Sequence, residues 1–362
     1  MQRVNALRWS WMNVLNLKRV EQLRAEFGSM DAASDALSFE LLRSLGCRED
    51  TSLLAMNRVE ELDIEQYEEA LVKRGIQFLS IEDAAYPSAL KTLPDPPIFL
   101  YAIGDMSILD QPCLSLVGAR EMSEYGERVV RHLVPDIVRA RIVTVSGLAY
   151  GIDATVAEET LSCSGKTVAV LGHGLGMIYP KAHERLSKRI IERGGLILSE
   201  FPLDTEPDLY TFPARNRIIA GLSLGTVVVE AAEGSGSLIT ADLALEYGKE
   251  VFAVPGPIFD AHYAGCHGLI TRGTAKLVTS SKDILDEIGV VSSVPNEEST
   301  SMYTPESPQE EVILKVLTRM PISIDDLAEK TSLSIPDLGS TLTLLELRGI
   351  VENFGDRKST RL

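Results

Sequence analysis

Residues Phe212 to Ala241 read FPARNRIIAGLSLGTVVVEAAEGSGSLITA, and their reading decides the fold. Gly225 to Ala232 (GTVVVEAA) is β-branched and almost uncharged, the pattern of a strand covered on both faces. Before it, Arg215 and Arg217 flank Asn216, and the apolar Ile218, Ile219 and Ala220 follow at once. A helix or turn must therefore pin this basic cluster against a core. After it, Glu233-Gly234-Ser235-Gly236-Ser237 leads into LITADLALEYG, a helix ending at Gly248. Strand, glycine loop and helix together present free backbone N–H groups to an anion. Ser235, Ser237 and Thr240 add hydroxyl donors, and two guanidiniums nearby suit a phosphate. The plainer alternative is a simple βα turn beside arginines in structural ion pairs, and the loop alone does not decide between the two. Its coupling to the Arg-Asn-Arg cluster favours the anion site.

The same pattern repeats on either side. CLSLVG (Cys113 to Gly118), IVTVSG (Ile142 to Gly147), TVAVLG (Thr167 to Gly172), LILSE and EVFAVPG (Glu250 to Gly256) read as strands. Helices are expected between them, over Tyr125 to Ala140, Gly151 to Thr160 and His183 to Gly194. Repeated strand–helix units with uncharged strands predict a doubly wound, mainly parallel α/β sheet. Ligands of such sheets bind beyond the C-terminal strand ends. Gly118 and Arg120, Ser146 and Gly147, Gly172 to Gly176, Glu200, Gly234 to Ser237, and Pro255 and Gly256 all fall there. Gly172-His173-Gly174-Leu175-Gly176 has GxGxG spacing rather than GxGxxG, so no dinucleotide cofactor is expected. His173, His183 and His262 lack partners that suggest catalysis or a metal. Asp153 and Glu230 are carboxylates at strand ends, where capping and acceptance of backbone N–H groups is the usual role.

The flanks divide the chain. Residues 1–66 read as short helices with glycine stops at Gly28 and Gly46, like a sterile-alpha or helix-hairpin-helix module. Residues 67–290 are expected to form the sheet domain, and a helix from about Ile64 to Arg74 leads into a strand from Ile76 to Ile81. The proline-rich stretch from Tyr86 to Gly104 reads as a rigid approach to it. Residues 291–308 are rich in Ser, Thr, Pro and Glu, a flexible linker. Residues 309–362 predict three short helices and a β-wing, a winged-helix-like module. Its last helix carries a single arginine and no Asn or Gln to read base edges, which favours protein contact over sequence-specific DNA reading.

Composition narrows the class. The chain has 362 residues, 45% of them apolar, enough for two or three domains with a sizeable core. No apolar run reaches the ~18 residues of a membrane span, and no signal peptide is evident. The four cysteines are far apart, without a CxxC pair, which fits a reduced cytoplasmic protein. A net charge of −17 argues against a coat of basic surface for duplex DNA, though not against a local basic groove.

Together the motifs resemble the DNA-processing protein A family, also called Smf. VGAR with SEYG, SGLAYGIDA, YPK, SEFP, FPARNRIIAGLS, VVVEAAEGSGSLITADLA and VFAVPG stand in family order between about Tyr86 and Ile288. The resemblance implies an extended Rossmann-like domain that binds single-stranded DNA without sequence preference. It implies a homodimer that loads RecA and displaces single-strand-binding protein in natural transformation, with no catalysis. By motif, the DNA contacts fall on Arg120, Lys181, Arg215, Asn216, Arg217 and Gly234, Ser235, Gly236 and Ser237, with Ser146, Gly147 and Phe212 at neighbouring strand ends. Arg215 and Arg217 are not both expected to reach DNA; one is expected to pair with Glu200 or Glu230. Phe212 is the first choice as a stacking face, unless it is a core side chain; Tyr125 and Tyr179 come next. The rival is a nucleotide phosphoribohydrolase using Glu230 or Glu200 and the glycine loop, although EGSGS stands where that family has PGGxGT. A duplex-DNA regulator acting through the winged helix is a third reading.

Overall fold

A computed structural model describes residues 1–290, 305–317, 322–348, 350–353 and 358–361. The chain forms two compact units, residues 1–294 and 295–362. The expected linker lies mostly at 291–304, outside the described residues.

The first unit is built on nine strands: β1 (Gln77–Ser80), β2 (Phe99–Gly104), β3 (Cys113–Gly118), β4 (Val143–Ser146), β5 (Thr167–Leu171), β6 (Leu196–Ser199), β7 (Gly225–Glu230), β8 (Glu250–Ala253) and β9 (Lys276–Leu277). Their order across the sheet is β1-β2-β6-β5-β4-β3-β7-β8-β9. From β6 to β9 every pairing is parallel. The stretch read as a rigid approach instead supplies β2, which pairs antiparallel with both β1 and β6. Its prolines end before Ile98, and the apolar run that follows is buried on both faces, which pairs it into the sheet rather than leaving it as a connector.

The order fixes where a ligand can bind. The chain winds β3, β4, β5, β6 to one side, then crosses back to place β7 on the far side of β3. The β3–β7 boundary is the switch point, where loops leave in opposite directions and open a crevice at the C-terminal strand ends. The crossover from β6 to β7 runs through the helix Thr211–Leu222. Because it runs against the strands, its first turns lie at the crevice and its Ile218, Ile219 and Ala220 sit buried in the core beneath the sheet.

The helices of residues 3–73 do not stand apart from the sheet. Their core residues Leu7, Trp9, Leu23 and Leu42 belong to one hydrophobic cluster with Phe78, Phe99, Tyr101, Leu171 and Ile197. A buried hydroxyl chain crosses the junction: Ser10 Oγ lies 2.7 Å from Tyr101 Oη, and Tyr67 Oη donates to Tyr101 at 3.2 Å.

In the second unit, helices Pro308–Val316, Ile324–Thr331 and Ile335–Leu347 enclose Ile313, Leu327, Leu338 and Leu345. Strands β10 (Ile322–Ser323), β11 (Val351–Asn353) and β12 (Lys358–Arg361) form a small sheet ordered β10-β12-β11. This is the winged-helix arrangement expected. Arg348, the arginine at the end of the last helix, is occupied by Glu306 and Glu310 at 2.7 and 3.2 Å.

Candidate nucleic-acid interface

A groove of about 940 Å³ opens at the switch point. It is lined by Arg120 from the loop after β3, Lys181 from the loop after β5, Phe212, Arg215 and Asn216 from the crossover helix, and Ser235, Gly236 and Ser237 after β7. Residues from four separate motifs thus converge on one cleft.

The glycine loop is shorter than its sequence suggests. The helix begins at Gly236, with Ser235 as its N-cap, so only Glu233 to Ser235 remain loop. Its N-terminal N–H groups and positive dipole end face the groove. Asn216 Nδ2 donates to Gly236 O at 3.3 Å and ties this end to the crossover helix. Arg120 and Lys181 are both exposed, and neither forms an ion pair with any described residue. Arg120 lies over the half-buried Phe212 ring, 5.2 Å from its centroid, a cation–π contact that holds the charge at the rim. Tyr179 stands 6.1 Å from the same ring and is half exposed.

The two arginines of the cluster diverge. On a helix, residues two apart point about 200° apart. Arg215 turns inward to the groove floor, 5% exposed. Its Nη1 donates to Gly147 O at 2.7 Å and to Val170 O, and its Nε to Asn216 Oδ1 at 3.3 Å. Burial pushes its pKa down to about 10; Asp153 opposes the shift and Arg120 adds to it. Arg217 turns away from the groove. It grips Glu200 with both Nη atoms, at 2.5 and 2.6 Å, and its Nε donates to Asp95 O at 2.9 Å. The structure therefore does not bring Arg217 to the other candidate DNA contacts, and the pairing with Glu200 accounts for it. We expect Arg217→Ala to lower stability by about 2 kcal/mol, since it strands a mostly buried Glu200 carboxylate. Thermal melts should register that loss while any DNA affinity stays within about twofold.

Ser146 and Gly147 do not line the groove but bond to residues that do. Ser146 is fully buried and its Oγ donates to Asp153 O at 3.2 Å. Gly147 contributes its carbonyl to Arg215 and its N–H to Asp153 Oδ2 at 2.9 Å. Gly234 adopts φ +76 in the open turn before the helix and does not line the groove. Tyr125 donates to Pro255 O at 3.1 Å, outside the groove. Asp153 and Glu230 both accept backbone N–H groups, Glu230 from the end of β7 and Asp153 from the first turn of the helix after β4.

The GxGxG stretch has a structural purpose. Gly174 N–H donates to Thr205 O at 2.9 Å and Gly176 N–H to Leu203 O at 3.0 Å, so the 202–205 backbone runs directly against it. A side chain at Gly174 would strike the carbonyls of Pro202 and Leu203. His173 is 1% exposed; its Nε2 accepts Tyr179 N–H at 3.3 Å and Nδ1 lies 2.9 Å from Gly174 O. Burial lowers its pKa. The folded state thus resists a proton that the unfolded chain accepts below about pH 6.5. Stability should fall as pH drops from there, by at most about 1.4 kcal/mol per pH unit. Melts of the unmodified chain and of His173→Asn across that range check it, the variant showing the weaker slope.

One wall escaped the sequence reading. Glu206, Pro207, Asp208 and Leu209, together with Met177 and Ile178, also line the groove. Leu209 and Tyr210 are 85% and 86% exposed. The signal was positional: this loop joins β6 to the crossover helix, so it must pass the C-terminal strand ends. Among the described residues, no helix is long and apolar enough to cross a membrane, and no cluster of His, Cys, Asp and Glu is placed to hold a metal.

Comparison with known proteins agrees with this architecture. Residues 77–289 match the family model for DNA recombination-mediator protein A, and residues 297–356 match the DprA winged helix domain. The chain is 41% identical over 270 residues to protein Smf of Escherichia coli K12, covering 73% of this chain and 72% of the relative. It is similar in structure to DNA processing protein A of Streptococcus pneumoniae, with TM-score 0.66 and 36% identity over 79% of this chain and 98% of that one. DNA processing protein A of Helicobacter pylori, solved in a study of its single-stranded DNA binding mode, aligns with TM-score 0.53 and 30% identity over 59% of this chain and 95% of that one. The sheet, its switch-point groove and both family matches place this chain in the DNA recombination-mediator protein A family.

Proposed function

We propose that this chain binds single-stranded DNA in the switch-point groove, without sequence preference, and delivers it to RecA during DNA uptake and recombination. The observation that carries the reading is the mixed lining of the groove. It combines Arg120, Lys181 and a helix N-terminus with exposed apolar surface at Met177, Tyr179 and Leu209. A single strand needs a positive track for phosphates and flat or apolar surface for unstacked bases. A duplex would present only its phosphates to such a cleft. The Helicobacter pylori relative, with its single-stranded DNA binding mode, supports the same ligand.

The chain acts in this reading as a cytoplasmic homodimer that displaces single-strand-binding protein and performs no chemistry. The hydrolase alternative cast Glu200 or Glu230 as acid or base. Neither lines the groove: Glu200 holds Arg217, and Glu230 holds Ser123 and Tyr263. The test is RecA filament assembly on a strand precoated with single-strand-binding protein. Addition of this chain should shorten the delay before assembly, and Lys181→Ala should restore it. An unchanged delay would contradict delivery to RecA.

A further inference from the structure

Glu230 ends β7 at the switch point and is fully buried. Opposite it the β3–β7 ladder slips: Val117 pairs with Val228, but Gly118 pairs with Glu230. The slip carries the Glu230 side chain past the end of β3, beneath the turn that follows. There both carboxylate oxygens accept Ser123 N–H, at 3.1 and 3.2 Å, and Oε2 also accepts Ser123 Oγ at 2.7 Å. Tyr263 Oη donates to the same oxygen at 2.8 Å. A buried carboxylate is costly unless its acceptor sites are filled, and here the filling groups come from one loop and one tyrosine.

That loop carries Arg120. Its near end is held separately, by Ile152 N–H donating to Ala119 O at 3.1 Å. Gly151, at φ +72, packs so closely that a side chain there would meet the carbonyls of Ala119 and Arg120. The backbone is thus fixed at Ala119 by the helix after β4 and at Ser123 by Glu230. Between these anchors the Arg120 side chain has no ion pair among the described residues and only the Phe212 ring to lie on. Its direction is set by the turn, and the far end of the turn is set by Glu230.

We infer that Glu230 is a positioning residue for the groove: it aims Arg120 at the strand without touching the strand itself. The inference rests on the reading of Arg120 as a phosphate contact. It also gives the buried Glu230 carboxylate a purpose other than proton transfer.

A double-mutant cycle on the full chain tests it, with labelled oligo-dT as the probe and thermal melts as a fold control. Arg120→Ala should weaken binding about tenfold, the loss of one charge-assisted contact. Glu230→Gln replaces one acceptor by a donor that faces Ser123 N–H, and should weaken binding about fivefold. Combined with Arg120→Ala, it should add less than about twofold, because there is no longer a guanidinium to aim. Tyr263→Phe removes a single donor and should show the same non-additivity at smaller size; it carries the test if Glu230→Gln does not fold. Losses that multiply in the double variant overturn the inference, as does Glu230→Gln binding with unchanged affinity. If Arg120→Ala alone binds normally, the groove reading fails first, and that single variant reveals it.

Discussion

Replacing Arg120 and Lys181 together with alanine should weaken binding of a single strand by about 100-fold at low ionic strength, and leave the melting temperature unchanged. Each side chain is exposed, carries its charge into the groove, and makes no ion pair with a described residue. Neither therefore supports the fold, and each forfeits only its phosphate contact. A charge-assisted contact is worth about 1.5 kcal/mol or more, close to tenfold. Two lost contacts should also flatten the dependence of log affinity on log salt by about 1.4, at roughly 0.7 per contact for single strands. Anisotropy of labelled oligo-dT across a salt series reads both quantities. An unchanged slope would mean that the strand's phosphates lie elsewhere.

Arg215 should behave in the opposite way. It is buried, and its Nη1 joins the ends of β4 and β5 through the carbonyls of Gly147 and Val170. Alanine there leaves both carbonyls unpaired, opens a cavity in the groove floor, and removes the cation that offsets buried Asp153. We expect a loss of about 3 kcal/mol. That corresponds to a fall in melting temperature of roughly 6 °C or more. Arg215→Lys should recover only part of it, since an ammonium lacks the fork that meets acceptors in fixed directions. DNA binding measured well below the transition should weaken too, because Asn216 and the helix N-terminus rest on the same floor. A melt unaltered in Arg215→Ala would show that the buried guanidinium does not hold the strand ends together.

These two residue classes explain what could be read from the sequence. Strand placement was legible because buried parallel strands are uncharged and β-branched, so β3 and β7 begin and end close to where CLSLVG and GTVVVEA suggest. The groove was legible because the topology sends every βα loop to one edge. The antiparallel β2 was not, since three prolines in Leu93–Ile98 mask a short apolar strand. The split fate of Arg215 and Arg217 was half legible. A pairing with Glu200 or Glu230 was foreseen for one of them, but assigning it required the helical phase, and the RNR spelling fits a turn equally well. The start of the helix at Gly236 was obscured because glycine and serine suit both a loop and an N-cap. The acidic and apolar lip at Glu206 to Leu209 has no motif at all; only its position between β6 and the crossover helix betrays it.

The central claim is a groove that takes one strand and not two. Its most direct test is titration of the unmodified chain with a labelled single strand and with the same sequence as a duplex, over a range of salt. The account predicts tight binding of the single strand that weakens as salt rises, with duplex bound far more weakly throughout. Equal affinity for the two, or no binding of the single strand at low salt, would contradict it.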